Sequence, residues 1–286
     1  MHLRIGAVVV LCVFAGVGAG DAAPRGRHVK ASLVAEPSAA QPGRPLVAGL
    51  RLQMDPSWHT YWRNPGDAGL PTRVKWELPE GFSAGELQWP HPMRFNTGPL
   101  VSYGYEQEVL LPVEIQVPTT LSSPDVHLTA RVSWLECQEI CLPGKAELSL
   151  SLPVRENASP GPAAALFEDA RRRLPRRDQA WEFSASAAAG SIGLSVSPPR
   201  DTTLDEAYFY PVTRRVLDYS KPQALRPSGG GYRLDLPRDP KGAGIERLQG
   251  VLVGRTATGP LALEVDVTFA TESAALEGDR SSTEAE

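Results

Sequence analysis

Two runs of alternating apolar and polar residues flank a pair of cysteines, and they constrain the fold of this chain more than any other feature. The apolar positions of the first run are Val126, Leu128, Ala130, Val132 and Trp134, and those of the second are Ala146, Leu148, Leu150 and Leu152. A period of two places each set on one face of a β-strand. Because Pro143-Gly144 breaks the chain between the runs, the pattern predicts an antiparallel strand pair with Cys137 and Cys141 at its turn end.

The spacing of Cys137 and Cys141 permits a disulfide, because a turn can bring residues four apart to the Cα separation of about 5.5–6 Å that the bond needs. Chain entropy gives such a short loop a stabilisation of only about 2 kcal/mol. This value suits a bond that is made and broken, although a small structural disulfide remains an open alternative. Zinc is a weaker alternative, because two thiols need two further ligands at suitable spacing.

The first 22 residues have the pattern of a secretory signal peptide. Basic side chains precede an apolar run from Ile5 to Val17, and small residues follow it. The apolar run is too short to span a membrane comfortably. Cys12 lies inside this segment and is expected to be removed with it. The two cysteines that remain in an exported chain indicate an oxidising compartment, which we interpret as a bacterial periplasm.

Composition and charge restrict the class of protein. The 286 residues, of which 42% are hydrophobic, suffice for one large domain or two domains of ordinary size. The net charge is −4, and the last sixteen residues account for it, since they hold five acids and one arginine. The rest of the chain is close to neutral, so there is no electrostatic case for nucleic acid as a partner.

Strand-like runs separated by proline and glycine turns divide the chain into two β-rich regions. Residues 24–156 contain a series of short runs with no helical period, which is typical of an antiparallel sandwich. Strand-like runs resume over residues 178–272 and predict a second all-β unit, which has no cysteine. Residues 273–286 are expected to form a disordered acidic tail.

Residues 157–177, between these two regions, have a different pattern. The apolar positions that recur there at helical spacing are Leu166, Phe167, Ala170 and Leu174. Pro175 is expected to end the helix. The sequence therefore predicts a short helical linker between the two β-rich regions.

Three segments of the first region resemble the periplasmic amino-terminal region of the thiol:disulfide interchange protein DsbD family, and in particular its ScsB-type branch. They are WHTYWRNPGDAGLP, LPVEI and VSWLECQEICLPGKAELSLSLP. The segments AYFYP, VLDYSKPQAL and LQGVLV are similar to the second domain of that branch. The resemblance implies an all-β fold of two tandem immunoglobulin-like β-sandwich domains joined by a short helical linker.

The resemblance also implies a function. In this family the domain carries electrons, and its cysteine pair matches Cys137 and Cys141. The second cysteine, here Cys141-Leu142-Pro143, is expected to form the mixed disulfide. The expected acceptor is a periplasmic thioredoxin-fold disulfide isomerase or reductase, and no cofactor is expected. Because the sequence ends in an acidic tail instead of continuing into a membrane domain, the expected electron donor is a separate membrane protein of DsbD type.

The family covers its cysteine pair with a loop, and the matching segment here runs from Ser102 to Tyr105. Strict register places Ser102 at the position of the family's aromatic cap residue. Tyr103 and Tyr105 are therefore the candidates for the cap, although both are equally compatible with ordinary strand aromatics. We interpret Trp134 as a core residue.

Charged residues near the pair affect its expected chemistry. Glu136 and Glu139 flank the cysteines, and like charge would raise the pKa of a thiol, an effect that Lys145 would oppose. His59 is interpreted as a half-buried turn residue. The scatter of histidines and methionines gives no convincing copper site. Two alternatives to a redox relay stay open, namely a noncatalytic partner-binding tandem sandwich with a structural disulfide, and a metal-handling protein of the copper-stress kind.

Overall fold

Alternation of apolar and polar residues produces β-strands along most of the chain. This computed structural model describes residues 26–188, 190–242 and 244–269. About 58% of the structure is strand, and the described residues contain a single short helix. The predicted all-β, immunoglobulin-like sandwich fold is therefore confirmed.

Some of the sequence predictions concern segments that the structure does not describe. The predicted signal peptide (1–22), Cys12 within it, and the predicted acidic tail (273–286) lie outside the described residues. Within the part that is described, no helix has the length and apolar character needed to cross a membrane.

The first half of the chain forms two sheets that enclose a common core. Its strands are β1 (Val29–Ala35), β2 (Leu46–Met54), β3 (His59–Gly66), β4 (Arg73–Glu77), β5 (Ser83–Ala84), β6 (Met93–Thr97), β7 (Leu100–Glu106), β8 (Glu108–Gln116), β9 (Asp125–Cys137) and β10 (Cys141–Pro153). One sheet has the order β1-β2-β8-β5, and the other has the order β10-β9-β3-β7-β6 with β4 also paired to β9. Apolar side chains from both sheets, such as Leu50, Leu111, Trp62 and Trp134, belong to one core cluster, so the two sheets pack as a sandwich.

The helix α1 (Ala164–Arg173) lies within the predicted linker and packs on the first sandwich. Its buried side chains Phe167 and Ala170 contact Leu110 of β8. Gly49 of β2 lies beneath the ring of Phe167, since a Cβ at that glycine would lie 3.2 Å from the ring. The helix is therefore held against the surface of the first sandwich by its apolar stripe, rather than spanning freely between two bodies.

The second half of the chain also forms two sheets. Its strands are β11 (Glu182–Ala188), β12 (Ser191–Ser197), β13 (Leu204–Pro211), β14 (Ala224–Ser228), β15 (Gly231–Pro237), β16 (Arg247–Thr256) and β17 (Gly259–Thr268). The sheet orders are β11-β12-β15-β14 and β13-β16-β17. Gly229 and Gly230 join β14 to β15 with positive φ angles of 58° and 81°, which suits a tight hairpin turn.

The two halves share a continuous core. Tyr103 of β7 packs among aromatic residues of the second half, and these belong to the same cluster as the core of the first sandwich. We keep residues 24–156, 157–177 and 178–272 as the proposed extents of the first domain, the linker and the second domain.

Candidate redox site

The cysteine pair closes the long hairpin of β9 and β10. The register runs without interruption from Asp125↔Pro153 to Cys137↔Cys141. A disulfide joins the two cysteines, and their Cα atoms are 4.2 Å apart. This separation is shorter than that expected from the sequence, because the two residues are directly opposite each other in the ladder rather than offset across a wider turn.

The turn of this hairpin does not lie where the sequence suggested. It consists of residues 138–140, whereas Pro143 and Gly144 are inside β10, opposite Leu135 and Trp134. A proline is tolerated there because β10 is at the edge of its sheet. A Cβ at Gly144 would lie 2.2 Å from the ring of Trp134, so the glycine makes room for that buried indole.

The two cysteines differ in their access to solvent. Cys137 is 1% exposed, because it pairs with Cys141 on one side and with His59 of β3 on the other. Cys141 is exposed, since β10 has no further strand beyond it in the sheet. Its neighbour Ile140, in the turn, is 63% exposed. An incoming sulfur can therefore reach Cys141, while Cys137 is shielded.

Strand register places several side chains on the same face of the sheet as the disulfide. His59 is opposite Cys137, Tyr61 is opposite Gly104, and Phe95 is opposite Ser102. Residues directly opposite each other, and residues two apart in a strand, share a face. One face of the sheet therefore carries His59, Tyr61, Phe95, Ser102 and both cysteines.

A row of rings on this face leads to the sulfur of Cys141. Phe95 stacks on His59, with ring centroids 4.7 Å apart, and His59 meets Tyr61 edge-on at 5.3 Å. The hydroxyl of Tyr61 lies 3.4 Å from Sγ of Cys141. Gly69, with φ of 98°, passes so close to the Tyr61 ring that a Cβ there would lie 2.3 Å from it. The loop after β3 therefore covers Tyr61, which is 2% exposed.

Burial fixes the protonation of these rings. It lowers the pKa of His59, so its imidazole is neutral near pH 7. Burial also raises the pKa of Tyr61, although the nearby Ser102 hydroxyl opposes part of the rise. Tyr61 therefore keeps its proton at neutral pH and can donate a hydrogen bond to sulfur. His59 is a buried strand residue, which corrects its interpretation as a half-buried turn residue.

Glu136 is directed away from the cysteines. Alternation along β9 turns its side chain to the face opposite Cys137, where it is 1% exposed. Its carboxylate accepts hydrogen bonds from the backbone N–H of Arg27 at 2.7 Å, from that of His28 at 3.2 Å, and from the Trp134 indole at 3.2 Å. Glu136 thus anchors the chain before β1, and although it flanks the cysteines in sequence, its side chain does not face them. Trp134 is a buried core residue, as expected.

The three residues of the expected cap lie in strand β7 rather than in a loop. Ser102 is on the cysteine face, next to Tyr61. Tyr103 and Tyr105 are on the opposite face and are buried. The hydroxyl of Tyr103 shares a hydrogen bond with Tyr208 at 3.0 Å, and that of Tyr105 donates to the Pro90 carbonyl at 2.7 Å. The structure therefore brings Ser102 to the site, and it does not bring either tyrosine there.

Sequence reasoning missed Phe95, whose ring stacks on His59 on the face of the sheet that carries the cysteines. The signal for it was present, because MRFNT and LVSYGYE are two short runs separated by a Gly-Pro turn. A hairpin of these runs pairs Phe95 with Ser102. The serine at the expected cap position is therefore accompanied by an aromatic residue on the neighbouring strand.

Exposed apolar side chains lie on the segments that form the site. Among the described residues, the large apolar side chains that are exposed are Leu70, Met93, Leu100 and Ile140. Ile140 lies between the cysteines, and Leu70 follows the glycine that covers Tyr61. Register places Met93 and Leu100 on the face of Phe95 and Ser102. We refer to these four residues as the apolar rim; exposed apolar side chains on the segments of a site offer contacts to another protein.

The described residues contain no group of three or more His, Cys, Asp or Glu side chains placed to hold a metal ion. The copper-handling alternative thus has no ligand cluster within the described part of the chain to support it.

Comparisons with known proteins bear on the first half most directly. Residues 30–153 match the family described as thiol:disulfide interchange protein DsbD, N-terminal. No similar sequence was found among curated proteins.

Among solved structures, the N-terminal periplasmic domain of ScsB from Proteus mirabilis is similar in fold, with a TM-score of 0.62 and 18% identity. The match covers 86% of this chain and 95% of that chain, so the likeness of fold extends into the second half. The periplasmic chaperone SfaE is also matched, over 84% of this chain and 99% of its own, but with 11% identity and a TM-score of 0.21 that supports no argument. The expected resemblance to the DsbD amino-terminal family is therefore confirmed over residues 30–153, which contain the Cys137–Cys141 disulfide.

Proposed function

We propose that this protein is a periplasmic thiol–disulfide exchange protein that passes electrons through Cys137 and Cys141 to oxidised thioredoxin-fold isomerases or reductases. The observation that carries the proposal is the unequal exposure of Cys137 and Cys141 to solvent. Cys141 is exposed beside an exposed isoleucine, and Cys137 is buried beneath it. A purely structural bond would not need one accessible sulfur inside an apolar rim.

The first step is the attack of the Cys141 thiolate on the disulfide of the partner. A bond forms between Cys141 and one partner sulfur, and the other partner sulfur leaves as a thiolate. Exchange needs the attacking sulfur to approach in line with the bond that breaks, which Cys137 cannot do from its buried position. The Tyr61 hydroxyl, 3.4 Å from the Cys141 sulfur, stabilises the thiolate by a charge-assisted hydrogen bond.

The second step returns the pair to the disulfide. The Cys137 thiolate attacks the Cys141 sulfur, and the partner is released as a dithiol that has gained two electrons. The hairpin prepares this step, because it places the two cysteines directly opposite each other with Cα atoms 4.2 Å apart. A dithiol of a membrane electron donor of DsbD type then reduces the pair again.

The side chains around the pair favour exchange with protein partners over reaction with small molecules. The row formed by Phe95, His59 and Tyr61 covers the pair on the β3 side and restricts the approach of small thiols and oxidants. The apolar rim offers a partner protein surface to bind, and so favours protein disulfides over small molecules. We propose Phe95 as the cap residue, in place of Tyr103 or Tyr105, with Ser102 beneath it.

Several features support a periplasmic location. The sequence begins with a secretory pattern, the two remaining cysteines form a disulfide, and the ScsB domain of similar fold is itself periplasmic. The apolar rim also suits a noncatalytic module that binds a partner, which is the second candidate function. The two candidates differ in whether the pair forms a mixed disulfide.

Trapping of the mixed disulfide separates them. In Cys137→Ala protein the second step is impossible, so the protein should accumulate a covalent complex with a thioredoxin-fold protein that reductant releases. The matched control is Cys141→Ala, which should form no such complex. A complex with Cys141→Ala alone would reverse the roles of the two cysteines. If neither variant forms one in the presence of oxidised thioredoxin-fold proteins, the exchange function is refuted and the binding module becomes the better account.

A further inference from the structure

The second half of the chain packs against the back of the strands that carry the candidate redox site. In β6, Phe95 faces the disulfide, and its neighbour Arg94 faces the second half. In β7, Ser102 lies on the face of the disulfide, and its neighbour Tyr103 faces the second half. Arg94 and Tyr103 are register partners, as are Phe95 and Ser102. Because neighbouring strand residues point to opposite faces, two strands present the site on one side and the contact with the second half on the other.

Tyr103 lies at the centre of this contact. Its hydroxyl shares a hydrogen bond of 3.0 Å with that of Tyr208. Its ring meets those of Tyr210 and Tyr219 edge-on, at centroid distances of 5.0 and 5.2 Å. Edge-to-face aromatic pairs at these distances are attractive and directional. The four rings therefore hold β7 in a defined position relative to the second half.

Arg94 fixes the neighbouring edge strand. β6 pairs with β7 and lies at the end of its sheet, so it lacks a second strand to hold it. Arg94 supplies a substitute by donating a hydrogen bond to the Tyr219 carbonyl at 3.4 Å. Its guanidinium also lies 5.9 Å from the centre of the Tyr208 ring, which is within the range of a cation–π contact. The residue next to it is Phe95, the outer ring of the row over the pair.

Asn64 connects the second half to the loop that covers Tyr61. It is fully buried in an irregular stretch of β3, where the register with β7 shifts between Tyr61 and Gly66. Its amide donates to the Pro211 carbonyl at 2.7 Å and to the Tyr219 hydroxyl at 3.2 Å, while its carbonyl accepts from the Gly66 N–H at 3.0 Å. The shape of this stretch, and of the loop that follows it over Tyr61, thus depends on groups of the second half.

From these contacts we infer that the second half acts as a brace that holds the row of Phe95, His59 and Tyr61 over the disulfide. Asn64, Arg94 and Tyr103 are then positioning residues for exchange, although none of them touches sulfur. When the brace is loosened, the rings leave the pair uncovered on the β3 side for part of the time. Cys141, which is already exposed at the sheet edge, then becomes open to small thiols from the β3 side as well, so it reacts with them faster. The inference rests on the proposed function for its purpose, but the access itself can be measured without a partner.

The test is the rate at which dithiothreitol reduces the oxidised full chain. One thiolate of the reagent attacks Cys141, Cys137 leaves as a thiolate, and the second thiol of the reagent displaces Cys141 and closes its own ring disulfide, so the reagent supplies both electrons. We expect Arg94→Ala, and the double variant Tyr103→Phe/Tyr208→Phe, to react roughly 2- to 30-fold faster than the parent, the range that coupling through packed side chains usually spans. The double variant removes both hydroxyls, so neither is left buried without a partner.

The matched control is Arg226→Ala, which removes the same charge from β14, in the sheet of the second half that does not carry Tyr208. It should react at the parental rate. Arg94→Lys keeps a cation near Tyr208, so its rate of reduction should lie between that of Arg94→Ala and that of the parent. All rates are measured well below the thermal midpoint of each variant, because a merely structural role would lower that midpoint without changing the rate of reduction.

Parental rates in both Arg94→Ala and the tyrosine double variant, with the proteins folded, would overturn the inference. Arg94 is exposed, so its variant decides the matter even if the tyrosine variant does not fold. Failure of the proposed function has a different signature, because Cys137→Ala would then trap no partner while the dithiothreitol rates would still report whether the second half controls access to the sulfur.

Discussion

Replacement of Tyr61 by phenylalanine tests the chemistry assigned to the site with a minimal change. The substitution removes one hydroxyl, which lies 3.4 Å from the Cys141 sulfur, and keeps the ring that packs against His59 and Gly69. The hydroxyl can stabilise the thiolate more than the thiol, so its loss should raise the pKa of Cys141. A hydrogen bond to a charged group contributes about 1.5–3 kcal/mol. At the low end of this range, the pKa should rise by about one unit, since one unit corresponds to about 1.4 kcal/mol.

The change in pKa has two opposing effects on the rate of exchange. Near pH 7, about tenfold less thiolate is present, but each thiolate is more nucleophilic because the Brønsted coefficient is about 0.4–0.5. The net result is a rate about three- to fourfold lower near pH 7 and a plateau about threefold higher at alkaline pH. The two pH profiles should therefore cross, which a loss of folded protein would not produce.

The assay is the pH dependence of attack on a small aromatic disulfide by reduced protein. Cys137→Ala is the parent for this experiment, because it leaves a single thiol and avoids coupled titration of two. The matched control is Tyr105→Phe, which removes a tyrosine hydroxyl from the opposite face of the sheet and should leave the profile unchanged. Coincident profiles for the parent and its Tyr61→Phe derivative would refute the proposed role of the hydroxyl.

Three further predictions concern stability. Reduction of the disulfide should lower the free energy of unfolding by only about 2 kcal/mol, because the closed loop is so short; denaturant melts of both forms check this, and global unfolding on reduction would favour a structural bond. Glu136→Ala should destabilise the protein by roughly 1–3 kcal/mol, because it leaves buried donors without a partner, whereas exposed Glu139→Ala should have little effect in the same melts. Stability should fall as the pH drops below about 6.5, since burial lowers the pKa of His59 and His91 and the unfolded chain then binds protons that the folded chain does not; a free energy of unfolding that stays constant between pH 7 and 5 would contradict it.

The hairpin that carries the cysteines could be predicted from the sequence because its information is local. Alternation in β9 and β10 shows which of their residues face the core. Because the two strands are joined at one end, the cysteines at that end could be placed next to each other. The position of the turn could not be predicted in the same way. Pro143-Gly144 looks like a chain break, but an edge strand tolerates the proline, and the glycine is required by the ring of Trp134 across the ladder.

The surroundings of the pair depend on distant contacts, and this is where the sequence was insufficient. Whether Ser102 or Tyr103 faces the cysteines is decided by the register of β7 on β3, which shifts after Tyr61. A shift of one residue exchanges the two faces of a strand, so residue type alone could not assign the cap. The packing of Tyr103 on the second half joins residues more than a hundred positions apart, and no periodicity within either segment encodes it.

The redox potential of the Cys137–Cys141 pair tests the central claim most directly. It is measured by equilibrating the full chain with mixtures of reduced and oxidised dithiothreitol or glutathione and counting free thiols by mass spectrometry after alkylation. A pair that exchanges with partner proteins should have a potential well above about −300 mV, the value below which structural disulfides of secreted proteins usually lie. A potential below that value would contradict the account and assign the bond a structural role.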